Sequence, residues 1–150
     1  MKITLWRVAA GLSLLPAALI AADKKQISPP ELARPAASGK LPFSPGILVD
    51  GTLYVSGTMG SDPKTGKIAD TFEGEMKQAL DNIGAVLKGA GMGYQDVVSV
   101  TVFLTDMDLF QRMNAVYTTY FHDPMPARTT VGVTRLAAAG HVEITVTAHK

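Results

Sequence analysis

The sequence predicts an α+β domain in the element order ββαβαββ, with two helices on one face of a mixed sheet. Three observations lead to this fold class. The turn signal Asp50-Gly51 lies between two apolar runs, as in a hairpin. Two later stretches repeat their apolar residues at the spacing of a helix face. Two runs near the end alternate between side-chain types as strands do.

Residues 1–22 have the layout of a secretory signal peptide. Lys2 and Arg7 are the only charged side chains in this segment. An uncharged, mostly apolar run of 13 residues follows at 8–20, and Ala21-Ala22 offers a small-residue cleavage site. A membrane anchor is the alternative, but a spanning helix needs about 20 apolar residues. The segment therefore predicts a periplasmic or secreted protein with no membrane association after cleavage.

Charge and residue content argue against several classes of function. The whole chain has 14 basic and 13 acidic side chains, and removal of residues 1–22 leaves 12 basic against 13 acidic, a net charge of −1. Such a balance does not favour nucleic-acid binding, which depends on clustered Lys and Arg. The chain has no cysteine, and its three histidines lack metal-ligand spacing, so we expect neither a metal site nor a cofactor.

Residues 23–40 predict a flexible leader outside the fold. This segment is polar, and Pro29, Pro30 and Pro35 favour extended backbone over helix or sheet. The remaining residues, 41–150, have the length of one domain. A domain of this size can bury a single core of modest extent.

The first elements of the domain are a hairpin and a long helix. Residues 47–49 and 52–55 are the strands on either side of Asp50-Gly51. The helix begins near Asp70, with Glu73 as its capping-box partner. Its apolar stripe comprises Phe72, Met76, Ala79, Leu80, Ile83, Val86, Leu87 and Ala90.

A strand and a second helix follow. Residues 97–105 alternate between two faces, as a half-buried strand does. The second helix begins at Asp108, with Gln111 completing another capping box. Its apolar face comprises Leu109, Phe110, Met113, Val116, Tyr117, Tyr120 and Phe121. Pro124 and Pro126 cannot continue the helix.

The last two strands, 126–133 and 141–146, each have two distinct faces. If these strands pair, Arg128 and Glu143 lie on polar strips of the same sheet. Two interpretations follow from the residue types. The two side chains form a structural ion pair at a sheet edge, or Arg128 receives a ligand carboxylate, whose two oxygens its planar fork matches.

Four pairs of segments have a characteristic order and spacing. They are Tyr54-Val55-Ser56-Gly57 with Asp62-Pro63-Lys64-Thr65-Gly66, Met76 to Asn82 with Gly89-Ala90-Gly91, Met113-Asn114-Ala115-Val116-Tyr117 with Tyr120-Phe121, and Pro126-Ala127-Arg128 with Val142-Glu143-Ile144. By these segments, residues 41–150 resemble the Rid family (RidA/YjgF) of enamine and imine deaminases. The resemblance implies a chorismate-mutase-like fold and a homotrimer with a cleft at each subunit interface.

The resemblance also implies an activity. Rid enzymes hydrolyse small 2-imino or enamine acids to 2-oxo acids and ammonia. By position, Arg128 matches the family arginine that grips the substrate carboxylate. Glu143 matches the carboxylate that directs water, a general acid/base role. These two residues are the candidate catalytic pair.

Five further residues are carried over as substrate-binding. Ser56 and Gly57 match the family's serine and glycine at the cleft wall, and Asn114 matches a helix asparagine near the site. Phe43 stands where the deaminases usually have tyrosine, so the ring is kept and the hydroxyl is lost. Thr130 stands where they usually have cysteine, and it keeps the backbone groups of that position. On residue types alone, the alternative for Ser56 is a turn residue at the end of a strand, and the alternative for Asn114 is a polar contact of the helix.

Other functions stay open. One is a non-catalytic trimeric Rid-like protein that binds a small carboxylate ligand in the periplasm, and another is a holdase-like protein. Retention of both Arg128 and Glu143 favours the enzyme, because a carboxylate receptor needs no carboxylate of its own. Ribonuclease activity, reported for some relatives, is disfavoured by the net charge of −1.

Overall fold

The computed structural model describes residues 23–32 and 41–150. The elements are β1 (Lys25–Ile27), β2 (Gly46–Val49), β3 (Thr52–Met59), α1 (Phe72–Gly89), β4 (Val97–Leu104), α2 (Phe110–Tyr117), β5 (Ala127–Gly132) and β6 (Val142–His149). From β2 onward they follow the predicted order ββαβαββ, which confirms the α+β fold class. The β2–β3 hairpin turns at Asp50-Gly51 as predicted, and the two φ angles are 47° and 73°.

The six strands form one mixed sheet in the order β1-β2-β3-β6-β4-β5. Strands β4 and β5 are parallel, and every other neighbouring pair is antiparallel. The crossover through α2 allows this parallel pairing, because parallel strands cannot be joined by a tight turn. Strand β6 then inserts between β3 and β4. The last two strands are therefore not neighbours, so the condition that they pair with each other is not met.

One face of the sheet packs against both helices and forms the core. The buried strand residues alternate along the chain and include Leu53, Val55, Val100, Val102, Leu104, Val142, Ile144 and Val146. The predicted stripe of α1 is buried against them, apart from Ala90, which is half-buried just beyond the helix. In the described residues, no helix covers the opposite face of the sheet, which we call the open face. Tyr54, Phe103 and Val131 belong to the open face.

Part of the predicted leader belongs to the fold. Lys25–Ile27 pairs with β2 as an edge strand, and Ile27 is buried in the core with only 4% of its surface exposed. Pro29 is also buried and packs near Gly89 at the end of α1. The prediction that residues 23–40 lie outside the fold is therefore wrong for this part. Residues 33–40 and the predicted signal peptide, 1–22, lie outside the described residues.

Both helices begin at different residues from those predicted. Thr71 caps α1 in place of Asp70, because its hydroxyl accepts a backbone N–H three residues later at 3.2 Å. Asp106, rather than Asp108, caps the second helical segment. A 3₁₀ turn intervenes there, so α2 itself starts at Phe110. Among the described residues, no helix is both long enough and apolar enough to span a membrane.

Candidate active site

The Ser56-Gly57 pair lies in a β-bulge of β3. Val55 pairs with Val146 of β6, and Thr58 pairs with Ile144, so β3 has one more residue than its partner in this interval. A bulge bends a strand locally and changes the direction of its side chains and backbone groups. Here it places Ser56-Gly57 beside the strand that carries Glu143.

Glu143 extends its carboxylate over Gly57. A Cβ atom built on Gly57 would overlap Glu143 Oε1 and would lie 3.0 Å from Cδ. Only a residue without a side chain leaves room for the carboxylate in this position. Glu143 is half-buried and pairs with Met59 and Phe103 on the two neighbouring strands. The geometry therefore joins two predicted site residues that are 86 positions apart in the chain.

The hydroxyl of Ser56 has a structural partner. It donates a hydrogen bond to the carbonyl of Ser44 at 2.7 Å, and the backbone N–H of Ser56 donates to the carbonyl of Pro45 at 3.0 Å. These bonds hold the segment that leads into β2 against the bulge. Phe43 belongs to that segment and is 53% exposed. Ser56, Gly57 and Glu143 thus lie together, and Phe43 directly precedes the segment that Ser56 binds. We call these four residues the Glu143 group.

Arg128 lies on β5, the edge strand farthest from β1, and its side chain packs against α2. Its guanidinium carbon is 4.5 Å from the ring centre of Tyr117 and 5.7 Å from that of Phe110. Its Nη1 is 3.7 Å from the sulfur of Met113. Cation–π contacts of this kind hold a guanidinium in place without neutralising its charge. Among the described residues, no carboxylate lies within ion-pair distance of Arg128.

Arg128 and Glu143 project from opposite faces of the sheet. Arg128 pairs with Val100, which is buried under the helices, whereas Glu143 pairs with Phe103 on the open face. Residues paired across strands project from the same face. The interpretation of Arg128 and Glu143 as a structural ion pair is therefore wrong. One chain alone presents the two groups on different sides.

Thr130 lies on the same strand as Arg128, and Asn114 lies on α2, the helix that packs against Arg128. Thr130 follows Arg128 on the same face of β5, and its buried hydroxyl has no hydrogen-bond partner among the described residues. The Tyr117 hydroxyl is likewise buried and has no hydrogen-bond partner among the described residues. Burial raises the pKa of Tyr117, and the positive charge of Arg128 opposes that rise. Asn114 is half-buried on α2, and its side chain forms no hydrogen bond within the described ranges. We call Asn114, Arg128 and Thr130 the Arg128 group.

The family model described as Endoribonuclease L-PSP matches residues 32–150. The chain belongs to this family. A 2-iminobutanoate/2-iminopropanoate deaminase from Bos taurus is 45% identical over 111 residues, which cover 73% of this chain and 80% of the relative. A RutC family protein from Aquifex aeolicus is 39% identical over 73% of this chain and 89% of the relative. The crystal structure of YyfA, a Rid family protein from Yersinia pestis, matches with a TM-score of 0.77 and 35% identity, over 85% of this chain and all of that one.

These similarities confirm the Rid resemblance. The Rid domain of this chain also contains features that the sequence patterns did not assign to the site. Met113 and Tyr117 are four residues apart on α2, so their apolar spacing indicated only a core position. Both in fact contact Arg128. The sequence does not single out Glu75 either, because nothing in the α1 pattern indicates that this carboxylate is completely buried.

Proposed function

We propose that this Rid domain is a hydrolase that converts small 2-imino or enamine acids to 2-oxo acids and ammonia. The observation that carries the proposal is Arg128, a half-buried guanidinium held by aromatic rings, with no carboxylate partner in the described ranges. An arginine fixed in this way can receive a substrate carboxylate through two parallel hydrogen bonds. The names of the deaminase relatives support the reaction type.

Glu143 has the complementary role in this proposal. Its carboxylate accepts a proton from a water molecule as the water oxygen bonds to the imine carbon. Glu143 returns this proton to the nitrogen, and the new hydroxyl group of the tetrahedral intermediate gives up a second proton, which the nitrogen also takes up. The C–N bond then breaks, and the nitrogen leaves as ammonia. The carbonyl of the 2-oxo acid forms at the same carbon. The reaction needs no oxidant, and the substrate carboxylate stays bound to Arg128 throughout.

We further propose that the site is completed by a second subunit in a homotrimer. The Arg128 group and the Glu143 group face opposite sides of one chain, so a cleft between two copies is the simplest way to join them. The open face supports such an assembly, because Tyr54 is 53% and Val131 is 41% exposed there. Exposed apolar side chains of this size are typical of surfaces that associate.

The setting of the reaction is also a proposal. The charge and apolar pattern of residues 1–22 indicates export, and hence a periplasmic or secreted enzyme that meets imines formed outside the cytoplasm. Protein isolated from the periplasm of the native host should begin at Ala22 or Asp23 on N-terminal sequencing. Recovery of the chain from the cytosol with residues 1–22 intact would contradict export.

A binding protein without catalysis is the second candidate. Phe43 favours it, because the lost tyrosine hydroxyl removes a hydrogen-bonding group from the place where the deaminases have one. In this alternative, Arg128 still receives a small carboxylate and Glu143 has no proton to take. Ribonuclease activity is less well supported, because the predicted mature chain has a net charge of −1.

Variants of Arg128 and Glu143 separate the enzyme from the binding protein. Imines can be generated in the assay from several amino acids, and their hydrolysis followed directly. Arg128→Ala should weaken carboxylate binding at least tenfold, because a charge-assisted contact contributes roughly 1.5–3 kcal/mol. Glu143→Gln keeps the shape but cannot accept a proton, so turnover should fall while carboxylate binding persists.

Arg112→Ala is the matched control. Arg112 forms an exposed ion pair with Glu73 on the outer side of the helices, so its loss should leave turnover and binding unchanged. Wild-type protein that binds carboxylates through Arg128 but hydrolyses none of the imines would favour the binding protein. Wild-type protein that does neither would contradict both candidates.

A further inference from the structure

Helix α1 carries two buried polar side chains on its sheet-facing side. Glu75 is completely buried and Asn82 is 7% exposed. They are seven residues apart, which is two helical turns, so they lie on the same face of α1. Buried polar groups need partners, because an unpaired one is strongly destabilising. The partners of both side chains lie on the strands that carry Gly57 and Glu143.

Glu75 binds the start of β6. Its Oε1 accepts hydrogen bonds from the backbone N–H groups of His141, at 2.7 Å, and Val142, at 3.1 Å. Its Oε2 lies 2.9 Å from Nδ1 of His141, whose side chain is 58% exposed. All three contacts are made to the two residues that immediately precede Glu143. Glu143 therefore directly follows a backbone segment that Glu75 holds in place.

Asn82 binds the end of β3. Its amide nitrogen donates to the carbonyl of Met59 at 3.2 Å and to the carbonyl of Ser61 at 3.0 Å. Gln78, one turn earlier on α1, donates to the Asn82 side-chain oxygen at 2.9 Å and fixes the orientation of the amide. Met59 pairs with Glu143 across the sheet and lies two residues after Gly57. Both strand segments that build the Glu143 group are thus held by one helix.

Two glycines allow this close approach. A Cβ on Gly60 would overlap the backbone carbonyl of Glu75, and a Cβ on Gly140 would lie 3.1 Å from Glu75 Oε1. The loop before β6 also has positive φ angles at Ala138, 49°, and Ala139, 56°. Residues with a Cβ rarely adopt this conformation unless the surrounding structure imposes it. Glu75 binds the two residues that follow Gly140 at the end of this loop.

We propose that Glu75 and Asn82 are positioning residues for Glu143: they hold the ends of β6 and β3 so that the Glu143 carboxylate stays over Gly57. This inference rests on the proposed function, in which that carboxylate directs water at the imine carbon. Reaction rates depend steeply on such placement, since a misplacement of about 1 Å can lower them by about a hundredfold. A purely structural role would change stability without changing catalysis by folded protein.

The decisive variant is Glu75→Leu, which keeps the volume but removes the acceptor. At a temperature where it is fully folded, its kcat should fall at least tenfold, while its KM stays within threefold of wild type because Arg128 is untouched. Glu75→Gln retains one carbonyl oxygen for the two backbone N–H groups and should restore most of kcat. Glu73→Leu makes the same change on the exposed side of α1 and should leave kcat unchanged.

A second measurement does not depend on turnover. The backbone amide signals of Gly57 and Glu143 can be compared by NMR in wild type, Glu75→Leu and Glu73→Leu without substrate. We expect both signals to move in Glu75→Leu alone. If wild type hydrolyses no imine, the proposed function fails, and this measurement still decides whether Glu75 positions Glu143. Unmoved signals, or an unchanged kcat in folded Glu75→Leu, would overturn the inference.

Asn82→Ala provides the same test should Glu75→Leu not fold. The substitution removes the side-chain amide of Asn82, so the carbonyls of Met59 and Ser61 lose their hydrogen bonds to it. The hydrogen bonds of Glu75 remain in place. We expect the same signature, a lower kcat with KM nearly unchanged and a shifted Gly57 signal. A change in melting temperature alone, with kcat and the Gly57 signal as in wild type, would reduce Asn82 to a structural role and contradict the inference.

Discussion

At the scale of single residues, Gly57 leaves space for the Glu143 carboxylate that no other residue type would leave. Gly57→Ala adds a Cβ where the Glu143 carboxylate lies, and the φ of Gly57 is outside the left-handed region, so alanine fits the backbone itself. We therefore expect the Gly57→Ala domain to fold with the Glu143 carboxylate displaced. Its turnover should be at least tenfold lower than that of wild type. Imine hydrolysis and the melting temperature, measured together, check this prediction.

Gly66→Ala is the control for this substitution. No atom lies within 4 Å of a Cβ added at Gly66, but the φ of +72° makes alanine unfavourable there by about 1 kcal/mol. This variant should lose a little stability and no turnover. If Gly57→Ala is as active as Gly66→Ala, then the exact place of the Glu143 carboxylate does not matter for the reaction.

Arg128 and Glu143 show which features of the site a sequence pattern can predict and which it cannot. The alternation around Arg128 and Glu143 correctly separated the two faces within each strand. It could not show that these residues occupy opposite faces of the sheet, because that depends on the register of each strand against β4. Arg128 pairs with Val100, and Glu143 pairs with Phe103. The aromatic contacts of Arg128 were hidden for a similar reason, since an apolar helix face is the same pattern whether it meets the core or a guanidinium.

At the scale of secondary-structure elements, β1 is the addition that the sequence did not predict. Ile27→Ala should lower the free energy of unfolding by about 2–4 kcal/mol, because the side chain is buried against α1 and β2. Lys25→Ala on the same strand is exposed and should have little effect. Urea denaturation of both variants measures the difference. Equal midpoints would mean that β1 does not contribute to the stability of the domain.

Long periodic elements were predictable, and short or capped ones were not. The α1 stripe has eighteen helical residues to establish its period, whereas Lys25–Ile27 has three residues and no period at all. The sequence pattern predicts helix starts at Asp70 and Asp108, whereas Thr71 and Asp106 are the caps in the structure. The choice among nearby capping residues depends on which side chain reaches a free N–H, and this depends on the packing of the helix.

At the scale of the whole molecule, the Arg128 group and the Glu143 group lie on opposite faces of one chain, so the proposed site requires two copies. A closed ring of three copies would place the Arg128 group of each subunit against the Glu143 group of the next, which gives three identical clefts. Trimeric assembly would also cover apolar side chains of the open face such as Tyr54 and Val131. A monomer would instead leave each arginine without a water-directing carboxylate on its own side of the sheet.

This arrangement predicts that two inactive variants restore activity to each other. Arg128→Ala and Glu143→Gln subunits, co-expressed in equal amounts and shown by light scattering to be trimers, combine at random. A cleft is intact when the Glu143→Gln chain supplies Arg128 and the Arg128→Ala chain supplies Glu143, which occurs in about a quarter of clefts in a closed ring. Hydrolysis should therefore recover to about that fraction of wild type, whereas either variant alone stays inactive. If Arg128 and Glu143 of the same chain shared a cleft, no mixture could contain an intact one. Mixed trimers without activity would then disprove the shared cleft, even if each trimer is well folded.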